Sequence, residues 1–230
     1  MRFHFSILVL YACIIIPTQC LGNICLPKEH VALFLFGDSI LDAGNNNYIN
    51  TTTDVQANFW PYGETFFKYS TGRASDGRLI PDFIAEYANL PLIPPYLHPG
   101  YNRYIDGANF ASAGAGALDE TRPGLVLWKG RLHVVEVVHI GDSQVAEERD
   151  RSVLKGKIAC CVTGPYNGIL SCRGNRSVGF EYELCRNIGD YVFFDSGDPT
   201  KKAYQQFTEL IWSGTRSVIG SYNLKELFEH

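Results

Sequence analysis

The sequence predicts an α/β fold built on a parallel sheet, and three stretches carry that reading. Val31-Ala-Leu-Phe-Leu-Phe36 is a short apolar run that stops at Gly37 and gives way to Asp38-Ser39-Ile40. That is the pattern of a buried strand ending in a tight turn that opens a helix. Leu79 to Ala88 carries apolar residues at i, i+3 and i+4 with Pro81 in its first turn, which predicts an amphipathic helix. Tyr191-Val-Phe-Phe194 is a second apolar run that ends in the polar Asp195-Ser196.

At the start of the chain, Met1-Arg-Phe-His4 precedes an apolar run from Phe5 to Ile16 and a small-residue zone around Cys20-Leu-Gly22. These are the n-region, h-region and cleavage zone of a secretory signal, and the run is too short to span a bilayer. Residues 1–22 are assigned to a signal peptide and 23–230 to one domain, secreted and without a membrane span. Asn50-Thr-Thr52 and Asn175-Arg-Ser177 are sequons that fit this route. A formal charge of −4 offers no basic surface for nucleic acid or anionic lipid.

Of seven cysteines, Cys13 and Cys20 leave with the signal, and Cys25, Cys160, Cys161, Cys172 and Cys185 remain. Disulfides are the default in an oxidising compartment. Their connectivity stays open, and the odd count predicts a thiol that is free or shared between chains. No Cys/His spacing suggests zinc, and nothing in the sequence asks for a cofactor.

Ser39 falls just past the first strand, in the first turn of the expected helix, where unpaired backbone N–H groups can stabilise a developing oxyanion. Asp38 can fix that turn through its side chain. The full string Phe36-Gly-Asp-Ser-Ile-Leu-Asp-Ala-Gly-Asn-Asn-Asn47 resembles the first block of the plant GDSL esterase/lipase family, a branch of the SGNH hydrolases. The Gly-x-Ser-x-Gly elbow of ordinary α/β-hydrolases is absent. The resemblance implies a flavodoxin-like SGNH-hydrolase sandwich, a serine-nucleophile mechanism with Ser39 as nucleophile, and a small-molecule ester as substrate.

Further along, Phe59-Trp-Pro-Tyr-Gly63 and Ser70 to Arg78 read as a Gly- and aromatic-rich loop. Arg73 and Asp76 there fit a loop-internal ion pair or a turn cap better than a substrate contact. Gly107-Ala-Asn-Phe-Ala-Ser-Ala-Gly-Ala-Gly116, where small residues recur, brings backbone close to a packed element or a ligand. It resembles the family's second block, which implies that Gly114, ahead of Gly116, supplies a backbone N–H to the oxyanion hole.

Between Leu125 and Lys157 the resemblance fades. His133 to His139 is β-branched and could hold a strand over Val134 to Ile140. Gln144 to Ser152 is charged and reads as a solvated helix face or loop. The family's third block, Gly-x-Asn-Asp, supplies the third oxyanion donor and has no counterpart; Ile140-Gly-Asp-Ser143 is a chance echo. A βα unit takes about 30 residues and a doubly wound sheet about five strands, so the chain reads as truncated in the middle, with a segment near 125–157 deleted or replaced. A sheet with so few strands leaves apolar faces open.

Resemblance resumes at Gly156-Lys-Ile-Ala-Cys-Cys161 and runs through Tyr191 to Ser196. The family's fifth block, Asp-x-x-His-Pro-Thr, holds the general base and its orienting carboxylate. Here it reads Asp195-Ser-Gly-Asp198-Pro-Thr200: Asp195 stands at the charge-relay position and Asp198 where the histidine belongs. Imidazole accepts and returns a proton near neutral pH, whereas a carboxylate is a far weaker base. The sequence therefore predicts a carboxylic-ester hydrolase by family, weakly active or inactive. Two other readings stay open: a secreted non-catalytic binding or scaffold protein using the Phe59 to Tyr62 loop or the cysteine-rich C-terminal region, and an aberrant splice or gene-model product. The ester and the oligomeric state are not specified.

Overall fold

The computed structural model of the chain describes residues 31–116, 154–162, 172, 183–219 and 222–228. The chain divides into the units Met1–Val31 and Ala32–His230, and every element below lies in the second. The signal peptide, Cys25, the Val134 to Ile140 strand, the Ile140 to Ser143 echo and the charged Gln144 to Ser152 stretch lie outside the described residues.

The first apolar run forms β1 (Leu33–Leu35), shorter at both ends than expected. Its partner is β2 (Gly107–Asn109), parallel, with Leu33 opposite Gly107 and Leu35 opposite Asn109. Beyond the ladder, Phe110 N–H donates to Leu35 O and Ser112 N–H to Gly37 O, at 2.8 and 3.0 Å, so both chains leave the sheet side by side. The Gly/Ala-rich stretch thus begins as a strand, which its composition did not announce. Gly107 has φ +118°, and a Cβ there would collide with the carbonyl oxygen of Leu33. The small residues are what allow the close approach.

Two helices cover this pair. The expected helix is α1 (Ile80–Tyr87), with Asp82 accepting from Leu79 N–H at 2.9 Å. It ends where Asn89 takes the left-handed φ of 55°, so that Leu90 N–H reaches Ala85 O and Asn89 N–H reaches Glu86 O, a Schellman closure. After β3 (Cys161–Val162) and β4 (Glu183–Leu184), an antiparallel pair, the long helix α2 (Lys201–Ser213) is capped by Thr200, whose Oγ1 accepts from Ala203 N–H. Short helices α3 (Arg216–Ile219) and α4 (Leu224–Phe228) follow. Leu79, Ile80, Phe83 and Ile84 of the α1 region meet Tyr204 and Ile211 of α2 in one core that also takes in Leu41 and Ala111. Apolar spacing in the helices therefore packs them onto the residues that follow β1 and β2.

A second core gathers Ala57, Tyr62, Ala74 and Phe194 around Cys160, Cys161 and Cys172. Disulfides Cys160–Cys185 and Cys161–Cys172 settle the pairing that the sequence left open for these four.

Two expectations are corrected. Tyr191 to Phe194 does not form a strand: Tyr191 bridges Lys155 and Phe193 bridges Pro199, each singly. Val192 N–H donates to Lys155 O, and the carbonyls of Phe193 and Phe194 accept from Cys160 and Cys161 N–H, but the turn that follows takes other groups of the segment: Val192 O accepts from Thr200 N–H and Phe194 N–H donates to Asp198 O. Nor does Ser39 open a helix. The backbone makes one turn, closed by Asp42 N–H on Asp38 O at 3.0 Å, and a 3-10 helix follows only at Asn45–Tyr48. Among the described residues the sheet around the site is thus a two-stranded pair, with Pro95 adding one bridge to Asn109.

Replacing Gly107 with alanine combines backbone strain and overpacking, each of about 1–3 kcal/mol. The expected loss is about 3 kcal/mol, seen as a lowered denaturant midpoint with unchanged m-value.

Candidate active site

Ser39 sits half-buried in the turn after β1. Asp38 Oδ1 accepts from Ile40 N–H at 3.4 Å, as expected for a side chain that fixes the turn. Gly114 lies in the segment after β2, with φ +82°, a region that favours glycine. Its predecessor Ala113 is excluded as an oxyanion donor, because the Ala113 N–H is given to Asp42 Oδ2 at 3.0 Å. Gly116, the second choice, is exposed. Ser39 and Gly114 therefore emerge from the same end of a parallel strand pair, which is where α/β sheets gather their chemistry.

What fixes the two segments against each other is a set of buried polar side chains that sequence reasoning quoted within the first and second blocks without giving them a role. Asp42 accepts from the N–H groups of Gly44, Asn45 and Ala113. Asn45 Nδ2 donates to the carbonyls of Asn109 and Ala111, each at 2.8 Å. Asn46 Nδ2 donates to Ala113 O, and its Oδ1 accepts from Ser112 Oγ at 2.6 Å. Asn109 Nδ2 answers by donating to Leu41 O at 2.7 Å. Burial pushes the Asp42 carboxyl up from its ordinary value, against the pull of its N–H donors. A small cavity beside this network is lined by Asn45, Ile49, Tyr96, Leu97, Phe110 and Ser112. Its volume of about 10 Å³ suits a water molecule and not an acyl chain.

Asp195 is buried in the turn before α2. Its Oδ1 accepts from Gly197 N–H at 2.9 Å and Asp198 N–H at 2.8 Å, and its Oδ2 from Tyr62 Oη at 2.5 Å. Desolvation raises its pKa, while these donors lower it. Asp198 is half-buried. Tyr204, on the first turn of α2 and fully buried, reports how the pieces lie: burial, then the carboxylates of Asp198, Asp195 and Asp38, push its phenol well above the ordinary range. That phenol stays protonated, and it brings the turn of Ser39 into electrostatic reach of the Asp195 to Asp198 turn. Neither tyrosine was given a role from the sequence; the partners of Tyr62, Asp195 and Cys172, lie more than a hundred positions away in the chain.

The remaining candidates have structural employment. Arg73 makes a bidentate pair with Asp82, Nε to Oδ2 and Nη2 to Oδ1 at 2.8 Å, and donates to Ala43 O. Its partner is thus on α1 and not Asp76. Asp76 accepts from Thr65 Oγ1 and from Lys201 N–H, which caps α2. In the aromatic loop Trp60 is exposed and Tyr62 buried. His98, the one histidine among the described residues, is exposed, packs on Tyr48 and has Nδ1 3.0 Å from Pro99 O. Among the described residues no cluster of three or more His, Cys, Asp or Glu could hold a metal ion, and no helix is long and apolar enough to cross a membrane.

The turn of Ser39, the segment of Gly114 and the aspartate turn that leads into α2 are the three places where the sequence puts functional residues. Residues 33–140 match the family GDSL-like Lipase/Acylhydrolase, past the Leu125 at which the motif resemblance fades. GDSL esterase/lipase 2 of Arabidopsis thaliana is 34% identical, with 90% of this chain and 92% of the relative covered. GDSL lipase of Tanacetum cinerariifolium is 30% identical over 97% and 93% of the two chains. GDSL esterase/lipase 7 of Arabidopsis thaliana is 53% identical over 93 residues, 39% of this chain. The chain belongs to the plant GDSL esterase/lipase family. The match to esterase/lipase 2 runs over 346 positions although this chain has 230 residues, so it opens a long gap on this side. No solved structure matches.

Asn at position 42 would turn an amide N–H₂ toward a backbone donor, so Asp42→Asn is expected to cost about 1–3 kcal/mol in urea denaturation. The raised pKa also sets a sign. The folded chain holds the Asp42 proton more tightly than the unfolded one, so this group's contribution is full below the ordinary aspartate range and falls as pH rises through its raised midpoint. The carboxyl carbon of Asp42 is expected to titrate above the ordinary aspartate value, and Asp42→Asn to show less loss of stability than the natural chain over that window.

Proposed function

We propose that the chain is a GDSL-type carboxylic-ester hydrolase by descent whose turnover is impaired at the proton-transfer step. The observation that carries this reading is the Asp195-Ser-Gly-Asp198 turn: a buried, hydrogen-bonded carboxylate at the relay position, and a second carboxylate where the family has the base. Ester hydrolysis by Ser39 requires its hydroxyl proton to move as Oγ attacks the carbonyl carbon, and the same proton to reach the leaving alcohol. A neutral imidazole does both. An aspartate is ordinarily a far weaker base than imidazole. Loss of the histidine in a serine hydrolase can cost about 10⁶ in turnover.

The lost middle belongs to the same proposal. The long gap against esterase/lipase 2 supports a shortened chain, and the fading of the motifs near 125–157 is where we put the deleted or replaced segment of a single domain over 23–230. With it goes the asparagine that would be the third oxyanion donor, worth about 10² to 10³ in rate. The substrates are small-molecule esters, and acyl lipids, acetylated sugars and phenolic esters all remain within that class.

Asp198→His restores the Asp-x-x-His spacing. On short p-nitrophenyl esters the natural chain is expected near background, and Asp198→His is expected to gain modest activity that Ser39→Ala abolishes. Strong turnover by the natural chain would overturn the impairment. A folded Asp198→His variant without any gain would overturn the hydrolase reading and favour the binding one.

Secretion is proposed from the N-terminal n-region and h-region and from Asn50. This asparagine is exposed, two residues past the 3-10 helix, in a sequon whose Thr52 is exposed too. Expression through a secretory host is expected to yield a chain starting near Leu21 or Asn23, with a glycan at Asn50 that Asn50→Gln removes. Mass spectrometry decides it, and an intact N-terminus with unmodified Asn50 overturns the route.

A further inference from the structure

The aromatic loop of residues 59–62 does not offer all of its rings to solvent. Tyr62 is among the largest fully buried side chains, 2% exposed. Its ring lies edge-on between Phe59 and Phe194, with centroids 5.1 and 5.5 Å away. Its Oη donates to Asp195 Oδ2 and accepts from the backbone N–H of Cys172 at 3.3 Å. We propose that Tyr62 is a positioning residue for Asp195, fixing both the direction and the ionisation of that carboxylate. The inference rests on the reading of Asp195 as the relay carboxylate of the site.

Three features support it. Phe194 precedes Asp195, so Tyr62 grips the same turn twice, by its ring and by its hydroxyl. The Cys172 N–H fills an acceptor position on Oη, and an ionised carboxylate has no proton to give, so the phenolic proton must point at Oδ2. The Gly197 and Asp198 N–H groups meanwhile hold Oδ1. With both oxygens anchored, the carboxylate plane has one orientation. Hydrogen bonds to the charged form favour it against desolvation, which is the state an orienting carboxylate needs if it is to steady an imidazolium beside it. The charged and titratable groups facing this point are Asp198, which adds its charge to that of Asp195 on the Tyr62 phenol, and Tyr204 on α2.

A core aromatic that merely fills space would lose nothing electrostatic on becoming phenylalanine. The test is a carboxyl-carbon NMR titration of the full natural chain and of Tyr62→Phe, with Asp195→Asn to assign the resonance. Tyr62→Phe is expected to move the Asp195 midpoint to higher pH and to leave that of Asp42 in place. An unmoved Asp195 midpoint in a folded variant overturns the proposal. Should Tyr62→Phe fail to fold, the natural chain itself answers: a far-downfield, slowly exchanging hydroxyl proton correlated with the Tyr62 ring is expected, and its absence overturns the proposal. In the Asp198→His background, loss of the hydroxyl is further expected to shift the acid limb of the pH profile upward. The titration does not depend on turnover, so a failure of Asp198→His to gain activity is read separately.

Discussion

The site depends on one set of buried hydrogen bonds, in which Asp42, Asn45, Asn46 and Asn109 tie the segment after β1 to the segment after β2. Two short strands in a single parallel pair cannot position anything by themselves. The side-chain amides can, because each reaches across to main-chain groups on the other segment. A satisfied bond of this kind contributes about 1 kcal/mol net, but an orphaned buried partner costs about 1–3 kcal/mol. The network is therefore close to all-or-none: Ser39 and Gly114 are held in one relation or the local structure opens.

The same logic governs the carboxylates. Asp42 and Asp195 both sit where burial disfavours charge, and both are met by backbone N–H groups, with Tyr62 added for Asp195. Asp82 is met instead by a guanidinium, in a bidentate pair that also reaches Ala43 next to Asp42. Asp38, Asp195 and Asp198 all bear on the buried phenol of Tyr204. An aspartate at position 198 thus adds a like charge to a part of the fold that already gathers two carboxylates.

Much of this was legible in the sequence, for physical reasons that differ by element. α1 was readable because apolar spacing and Pro81 act locally, and the Ser39 turn because Gly37 and Asp38 punctuate an apolar run. Asp195 was singled out from its motif, and the structure adds a turn there, in which the carboxylate accepts from the N–H groups two and three residues ahead. β2 was unreadable as a strand because Gly and Ala have little β propensity, and what selects them is the proximity of Leu33, a residue far away in the sequence. Tyr62 was missed for a related reason. A buried tyrosine looks the same in sequence whether it packs or holds a carboxylate, and only its distant partner tells the difference. The expected strand at Tyr191 failed because the turn that follows takes part of its backbone hydrogen bonding, and of the four apolar residues only Phe194 is buried.

Asp76 Oδ1 caps the first residue of α2 at 2.7 Å, and Phe83 of α1 shares a core with Tyr204. Together with the bond from Tyr62 to Asp195, these contacts fasten the part of the chain before residue 116 directly to the part after residue 183, without passing through the residues between. In polymer terms the intervening stretch closes a loop whose ends are held by other forces. The entropy of such closure grows only with the logarithm of length, about 0.6 kcal/mol for each doubling. A large segment can then be gained or lost between residues 116 and 183 at small entropic cost, because the length of the connection is nearly invisible to the contacts that join the two parts.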